Sequence, residues 1–190
     1  MFEEHDLIAG CKREELWARK ELYERYAGAM LSLCARYVAD RDIARDVLQD
    51  GFYKVFIKIG EYHSDKGPFE AWMKRVFINT ALDQLQKKRF LPLISEYEES
   101  IEDTGASAFE KFSADDLHRC IAELPVGFRT VFNLYAVEGY SHTEIAKMLH
   151  IKETTSRSQY MRARRILQQN VQQLILRENA RECRHSRKIK

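Results

Sequence analysis

Prolines are few and widely spaced in this chain, and their spacing limits the fold more than any other feature. They occur only at positions 68, 92 and 125 of the 190 residues. Between them, apolar residues recur at intervals of three and four, which is the period of an α-helix and not the alternation of a strand. Because 45% of the residues are hydrophobic, the chain can fill the cores of one or two domains. The sequence therefore predicts an all-α protein.

The apolar stripes predict two small helical bundles. In the first bundle, residues 1–92, we expect helices over about 12–38, 42–59 and 69–89, with a loop at 60–68 that is bounded by glycine and proline. In the second bundle, residues 117–176, we expect helices over 117–124 and 128–137, followed by the segment 138–167.

The segment 138–167 has the pattern of a helix-turn-helix. Ser141 and Glu144 are spaced as a capping box, and Gly139 is placed to end the preceding helix. His150 occupies the turn position that often holds glycine, and histidine tolerates a positive φ at moderate cost. The second helix presents a basic face suited to a major groove: Arg157, Ser158, Met161 and Arg162, flanked by Arg164 and Arg165. The motif alone leaves open an ordinary helical hairpin whose arginines only face solvent.

Charge is unevenly distributed along the chain. Residues 93–116 hold eight acids and one base and lack a sustained apolar stripe, so they are expected to form an acidic flexible linker. Residues 117–190 hold fourteen bases and six acids, a balance that favours an acidic partner such as nucleic acid. The basic tail, 177–190, is expected to fray.

Several classes of function are disfavoured by what the sequence lacks. It has neither a run of ~20 apolar residues nor a basic secretory leader, which indicates a cytoplasmic protein with no direct membrane insertion. Cys34 and Cys120 lie among apolar residues and are expected to be buried free thiols. No metal site, cofactor or enzymatic activity is predicted, because no ligand cluster, phosphate loop or nucleophile with an oriented base is recognisable.

Three motifs in this order resemble those of a bacterial extracytoplasmic-function (ECF) sigma factor. They are DVLQDGFYKVF (46–56), FEAWMKRVFINTALDQLQKKR (69–89) and LPVGFRTVF with the helix-turn-helix that follows it. The resemblance runs from about residue 7 to residue 174. It implies an RNA polymerase sigma factor that directs core polymerase to promoters and promotes DNA melting. A stand-alone helix-turn-helix regulator is the alternative, but it accounts for the second bundle only.

The resemblance also implies partners for the first bundle and the linker. One helix of the first bundle would bind the β′ clamp helices of core polymerase, the β flap being a further contact on that enzyme. The linker would occupy the RNA-exit path, and an anti-sigma factor would hold the protein in check. The residues implied in clamp binding are Asp46, Gln49, Asp50, Phe52, Val55 and Phe56. For Phe52 or Phe56, a purely structural place in the core is the alternative.

Promoter DNA is the other implied partner. The −10 element would be read by His63, Ser64, Lys66, Lys74, Arg75, Asn79, Lys87, Lys88 and Arg89, with a purely structural Asn79 as the alternative. The −35 element would be read by His142, Thr143, Thr155, Arg157, Ser158, Met161, Arg162 and Arg164. This chain departs from the family pattern at Thr154, which replaces a common glycine, and at Ser156, which replaces a common apolar residue.

Overall fold

The structure is a computed structural model that describes residues 2–87 and 114–186. Its contacts divide the chain into two compact units, Met1–Arg89 and Phe90–Lys190. Throughout the described ranges the regular elements are helices, without a strand, which confirms the predicted all-α class. The predicted linker spans 93–116. Residues 93–113 lie outside the described residues, whereas 114–116 begin a helix, so the linker prediction is wrong at its C-terminal end.

The first unit is a bundle of four helices. They are α1 (Glu4–Lys12), α2 (Leu16–Val38), α3 (Arg41–Lys58) and α4 (Phe69–Lys87), with 3₁₀ turns at Ile59–Glu61 and Ser64–Lys66 between α3 and α4.

The prediction that the first helix spans 12–38 is wrong at its N-terminal end. The helical conformation is interrupted at Glu14, which adopts a left-handed φ of 62°, and a separate helix precedes this residue. Leu7 and Cys11, one turn apart, give that helix a buried face.

The core of the first unit is aromatic where α3 crosses α4. Phe52 packs edge-on against Phe77, with ring centroids 5.2 Å apart. Gly51 permits this approach, because a Cβ at that position would overlap the Phe77 ring. Asp40 caps α3 by accepting hydrogen bonds from the backbone N–H groups of residues 42 and 43. The cap and the ring contacts together fix which face of α3 remains outside.

The second unit contains the predicted helix-turn-helix. Its elements are α5 (Ala114–Ala122), α6 (Val126–Phe132), a π-helical turn (Asn133–Val137), α7 (His142–Leu149) and α8 (Glu153–Ser186). The helix α8 continues to Ser186, so the expectation of a frayed tail from residue 177 is wrong for 177–186. No proline or glycine interrupts this stretch of sequence.

A buried arginine joins the first two helices of the second unit. Arg129 on α6 donates Nη1–H bonds to the carbonyl oxygens of Ala122 (2.8 Å), the last residue of α5, and of Leu124 (3.1 Å), two residues beyond it. Burial lowers the pKa of the guanidinium. The side chain thus satisfies carbonyl groups that a helix C-terminus leaves without partners. Cys120 is buried in the adjacent core, and Cys34 is buried in the first unit, as predicted for both thiols.

Candidate nucleic-acid interface

The turn of the helix-turn-helix forms as the sequence predicts. Ser141 accepts a hydrogen bond from the backbone N–H of Glu144, and the Glu144 carboxylate accepts one from the backbone N–H of Ser141, so both halves of the capping box are present. His150 follows α7 in the left-handed conformation, with φ 55° and ψ 42°. Gly139, also predicted to end a helix, has a φ of 78°. The capping box thus fixes where α7 begins, and His150 marks where the chain turns from α7 toward α8.

The start of α8 carries a network of three polar side chains. Oε1 of Glu153 accepts hydrogen bonds from Nη2 (2.6 Å) and Nε (3.2 Å) of Arg157. Oε2 of the same carboxylate accepts a bond from the hydroxyl of Thr143 on α7, at 2.8 Å. Two predicted DNA-contacting residues are therefore held by a carboxylate that the sequence interpretation left out. Glu153 and Arg157 are four residues apart on α8, and this spacing is the sequence signal that could have identified the carboxylate.

Two predicted −35 contacts are interior residues instead. His142 is 8% exposed and Arg162 is 9% exposed. The His142 ring stacks on Tyr135 at a centroid distance of 4.2 Å, and burial, followed by the nearby Arg157 charge, lowers the histidine pKa. Burial leaves neither side chain the exposed edge that base reading needs, so the expectation of DNA contacts is corrected at both positions.

The remaining −35 candidates are exposed or half-buried. Arg157 on α8 and Thr143 on α7 are exposed, whereas the other candidates are half-buried. Half-burial still leaves part of each side chain at the surface, and Arg165, which the prediction names only as a flank, is exposed. The half-buried candidates are Thr155, Ser158, Met161 and Arg164.

In the first unit, a cleft of about 230 Å³ opens between the loop and α4. His63, Lys66 and Arg75, all predicted −10 contacts, line it. Trp72 also lines it, and this half-buried ring stacks on Phe69 with centroids 5.6 Å apart. Trp72 was not among the predicted −10 contacts. An aromatic ring beside two cations is a surface on which a nucleobase can stack while its phosphates are neutralised.

The other −10 candidates are distributed around the cleft. Asn79 is exposed one turn beyond Arg75 and shares its face of α4, whereas Lys74 pairs with Glu70 at 2.8 Å and is not part of the cleft lining. Ser64 is exposed in the loop, and Lys87 is exposed at the end of α4. Lys88 and Arg89 lie outside the described residues.

The backbone of the loop is anchored from two sides. Nζ of Lys12, the last residue of α1, donates a hydrogen bond to the carbonyl oxygen of Tyr62 at 3.0 Å. The Tyr62 hydroxyl donates to the carbonyl oxygen of Gly67 at 3.1 Å. The tyrosine ring also packs edge-on against Phe69. The loop that borders the cleft is thus tied both to α1 and to its own C-terminal end.

The outer face of α3 combines acidic and apolar side chains. The predicted residues Asp46, Gln49 and Asp50 are exposed on it. Tyr53 and Ile57 extend the same face at intervals of three and four, and they are 67% and 63% exposed. Neither residue was among the predicted contacts. We call these five residues the α3 face.

Two of the predicted polymerase contacts, one aromatic and one aliphatic, are corrected by the structure. Phe52 and Val55 are buried in the core of the first unit. Phe56 is half-buried, with the Arg19 guanidinium over its ring at 5.6 Å. The period of a helix shows which residues share a face, but α3 has apolar residues on both faces, so the period did not show which face packs inward.

Within residues 2–87 and 114–186, no helix has the length and apolar character needed to span a membrane. In the same part of the chain, His, Cys, Asp and Glu side chains do not gather in groups of three that could hold a metal ion.

Two protein families match the chain in sequence order. Residues 22–90 match sigma-70 region 2, which covers most of the first unit. Residues 114–167 match sigma-70 region 4, which covers α5 to the middle of α8.

Curated bacterial proteins match nearly the whole chain. The RNA polymerase sigma-H factor of Pseudomonas aeruginosa is 28% identical over 188 residues, covering 91% of this chain and 96% of the relative. The ECF RNA polymerase sigma-E factor of Escherichia coli is 31% identical over 184 residues, covering 90% and 95%. The fold resembles that of the sigma factor RpoE solved with the anti-sigma factor NepR from Bartonella quintana, at a TM-score of 0.51, 20% identity and coverage of 80% and 96%. The chain belongs to the extracytoplasmic-function group of the sigma-70 family, the RNA polymerase subunits that direct the enzyme to promoters.

Proposed function

We propose that the cleft beside α4 binds an unpaired base of the −10 element on the non-template strand. The observation that carries this proposal is the convergence of Trp72 with Lys66 and Arg75 in one cleft of about 230 Å³. The aromatic ring offers a stacking surface, and the cations neutralise the phosphates on either side of an everted nucleotide. Asn79, exposed on the same face of α4, can both donate to and accept from a base edge.

Binding of single-stranded DNA by the assembled holoenzyme tests the cleft. The probe is a fluorescent single strand that the holoenzyme has selected from a randomised pool. Replacing Lys66 and Arg75 together by glutamine is expected to weaken binding by about tenfold and to lower the slope of affinity against salt. Lys20→Gln, an exposed lysine on α2, is the matched control and is expected to bind normally. Equal binding by both variants would contradict the proposal.

The second unit reads the −35 duplex with the exposed side of α8. Arg157 is the principal base-reading residue in this proposal, since arginine pairs with the O6 and N7 acceptors of guanine in the major groove. Arg165 and Arg164 lie two turns further along the helix and are suited to phosphate contacts. Replacing Arg157 by alanine is expected to relax the preference at one base pair, as measured by selection from randomised duplexes. A uniform loss across all sequences would assign Arg157 to the phosphates instead.

The α3 face binds core polymerase. Exposed aromatic and aliphatic side chains flanked by carboxylates are a common composition for the centre of a protein interface. Replacing Tyr53 and Ile57 together by alanine is expected to weaken binding to core polymerase by more than about tenfold, with the fold intact, because both side chains are exposed. Leu16→Ala on α2 truncates an apolar residue that is even more exposed and serves as the control. A double variant that binds as well as this control would remove the α3 face from the interface.

The protein acts in the cytoplasm, where its polymerase partner is found, and it leaves the phosphodiester chemistry to that enzyme. By analogy with the sigma factor of Bartonella quintana, which was solved with NepR, an anti-sigma factor restrains this protein until its signal arrives. Co-purification of a partner that blocks holoenzyme assembly tests this regulation.

A further inference from the structure

The carboxylate of Glu153 holds side chains on both helices of the helix-turn-helix. One oxygen accepts two hydrogen bonds from the Arg157 guanidinium, and the other accepts the hydroxyl of Thr143 on α7. An exposed ion pair between residues four apart on one helix is usually a weak and mobile contact. This one differs because the second oxygen is anchored to a neighbouring helix, so the carboxylate has a fixed position from which to orient the arginine.

The geometry determines which edge of Arg157 is available to DNA. Nε and Nη2 face Glu153, so Nη1 and the second hydrogen of Nη2 form the outward edge. That edge is a pair of parallel donors, which matches the O6 and N7 acceptors of guanine. An arginine that is already oriented loses less conformational freedom on binding than one that is free to rotate.

The same carboxylate has an unfavourable effect on DNA binding in general. The hydrogen bonds from Arg157, and then the one from Thr143, hold the pKa of Glu153 below its usual range, so the side chain is ionised at neutral pH. A fixed negative charge beside the DNA-facing arginine repels phosphates. It therefore lowers affinity for every sequence while sharpening the choice among sequences, which is how an unfavourable element contributes to specificity.

We infer that Glu153 is a positioning residue for promoter recognition, which orients Arg157 toward a single base pair and lowers affinity for unrelated DNA. This inference rests on the proposed reading of the −35 duplex by Arg157. It assigns a role in specificity to a residue that itself need not contact a base.

The test measures specificity and non-specific affinity separately, in holoenzyme assembled with the full chain. Selection from duplexes randomised across the −35 element first identifies the base pair whose preference is lost in Arg157→Ala. Glu153→Ala is expected to lower discrimination at that base pair by about tenfold. It is also expected to bind a scrambled duplex about twofold more tightly at low salt, because a repulsive charge is removed. A merely structural role would not produce this opposite movement of the two measurements.

Two further variants separate the geometry of Glu153 from its charge. Glu153→Gln keeps the length: its amide oxygen can accept from Arg157, and its amide N–H can donate to the Thr143 hydroxyl, which reverses that bond. Discrimination is therefore expected to be retained while scrambled DNA binds more tightly. Glu153→Asp keeps the charge but is too short to reach both partners, so discrimination is expected to fall while scrambled DNA binds as in the wild type. Glu24→Ala removes a carboxylate from another pair of residues four apart, Lys20 and Glu24 on α2, and is expected to change neither measurement.

The outcomes distinguish this inference from the proposal on which it rests. If Arg157→Ala affects no individual base pair, the proposed −35 reading fails. If Arg157→Ala removes the preference at one base pair but Glu153→Ala leaves that preference intact, only the positioning role is overturned. The same conclusion follows if Glu153→Ala lowers affinity for all sequences together with the melting temperature.

Discussion

Nδ1 of His142 lies 2.9 Å from Oγ of Ser156, across the corner between α7 and α8. Ser156 is fully buried and stands where the family pattern commonly has an apolar residue. A buried hydroxyl is costly unless it has a partner. His142 provides that partner while its ring stacks on Tyr135 and packs near Tyr160. The departure at Ser156 is thus compensated by a second polar residue within the same corner.

This corner makes the stability of the second unit dependent on pH. Burial, and then the nearby Arg157, lower the pKa of His142, and Glu153 opposes them only in part. Because the folded-state pKa is below the ordinary value of about 6.5, the unfolded chain binds the proton more readily. The free energy of unfolding is therefore expected to be constant above pH ~6.5 and to fall as the pH decreases from there toward the folded-state pKa.

Thermal unfolding between pH 7.5 and 5 measures this effect. Both tryptophans, Trp17 and Trp72, lie in the first unit, so tryptophan fluorescence follows that unit while circular dichroism follows both. In the His142→Gln variant, the stability of the second unit is expected to lose most of its dependence on pH over this range. An unchanged slope in that variant would assign the dependence to other groups.

Two glycines within helices of the first unit are expected to respond to alanine in opposite directions. Gly51→Ala places a methyl group against the Phe77 ring and is expected to destabilise the first unit by about 1–3 kcal/mol, as overpacking does. Gly28→Ala in α2 meets no atom within 4 Å and is expected to stabilise it by about 0.5–1 kcal/mol through helix propensity. Tryptophan fluorescence in urea measures both. Equal stability of the two variants would show that the Phe77 ring moves aside at no cost in free energy.

Arg129 is expected to be the main polar contributor to the stability of the second unit. Arg129→Met keeps much of the side-chain volume but leaves the carbonyl groups of Ala122 and Leu124 without the bonds that Arg129 donates to them. A loss of about 2–3 kcal/mol in the free energy of unfolding is expected, since both lost bonds are charge-assisted, one being buried and the other partly buried. Arg165→Met, at an exposed position on α8, is the control and is expected to change it little. A similar effect of both substitutions would mean that water replaces the guanidinium.

Local patterns predicted the local structure of this protein well. The capping box at Ser141 and Glu144, and the left-handed residue His150, were predicted from sequence because each depends on neighbours within a few positions. The helices of both units followed from apolar spacing for the same reason. The helix α1 was missed, since its stripe of Leu7 and Cys11 was too short to be recognised beside the longer helix that follows.

Contacts between helices were much harder to predict. The inward positions of Phe52 and of Arg162 depend on which helix packs against each face, and helical period alone does not contain that information. The bond that the Thr143 hydroxyl donates to Glu153 likewise joins residues ten apart through the angle of the turn. The helix-turn-helix was therefore located correctly by motif, whereas the division of the candidate residues into exposed and buried ones required the structure.

The bond between Lys12 and the Tyr62 carbonyl is expected to matter for single-stranded DNA more than for folding. Lys12→Met keeps the aliphatic stem but removes the donor that ties the loop to α1 at 3.0 Å. A hydrogen bond from a charged donor is worth about 1.5 kcal/mol or more, so a loop that loses it is expected to bind the −10 single strand about tenfold more weakly. Binding to a −35 duplex, which involves the other unit, is expected to be unchanged. Lys20→Met on α2 controls for the loss of a positive charge, and a matching loss of strand binding in that control would show that charge, and not loop geometry, is responsible.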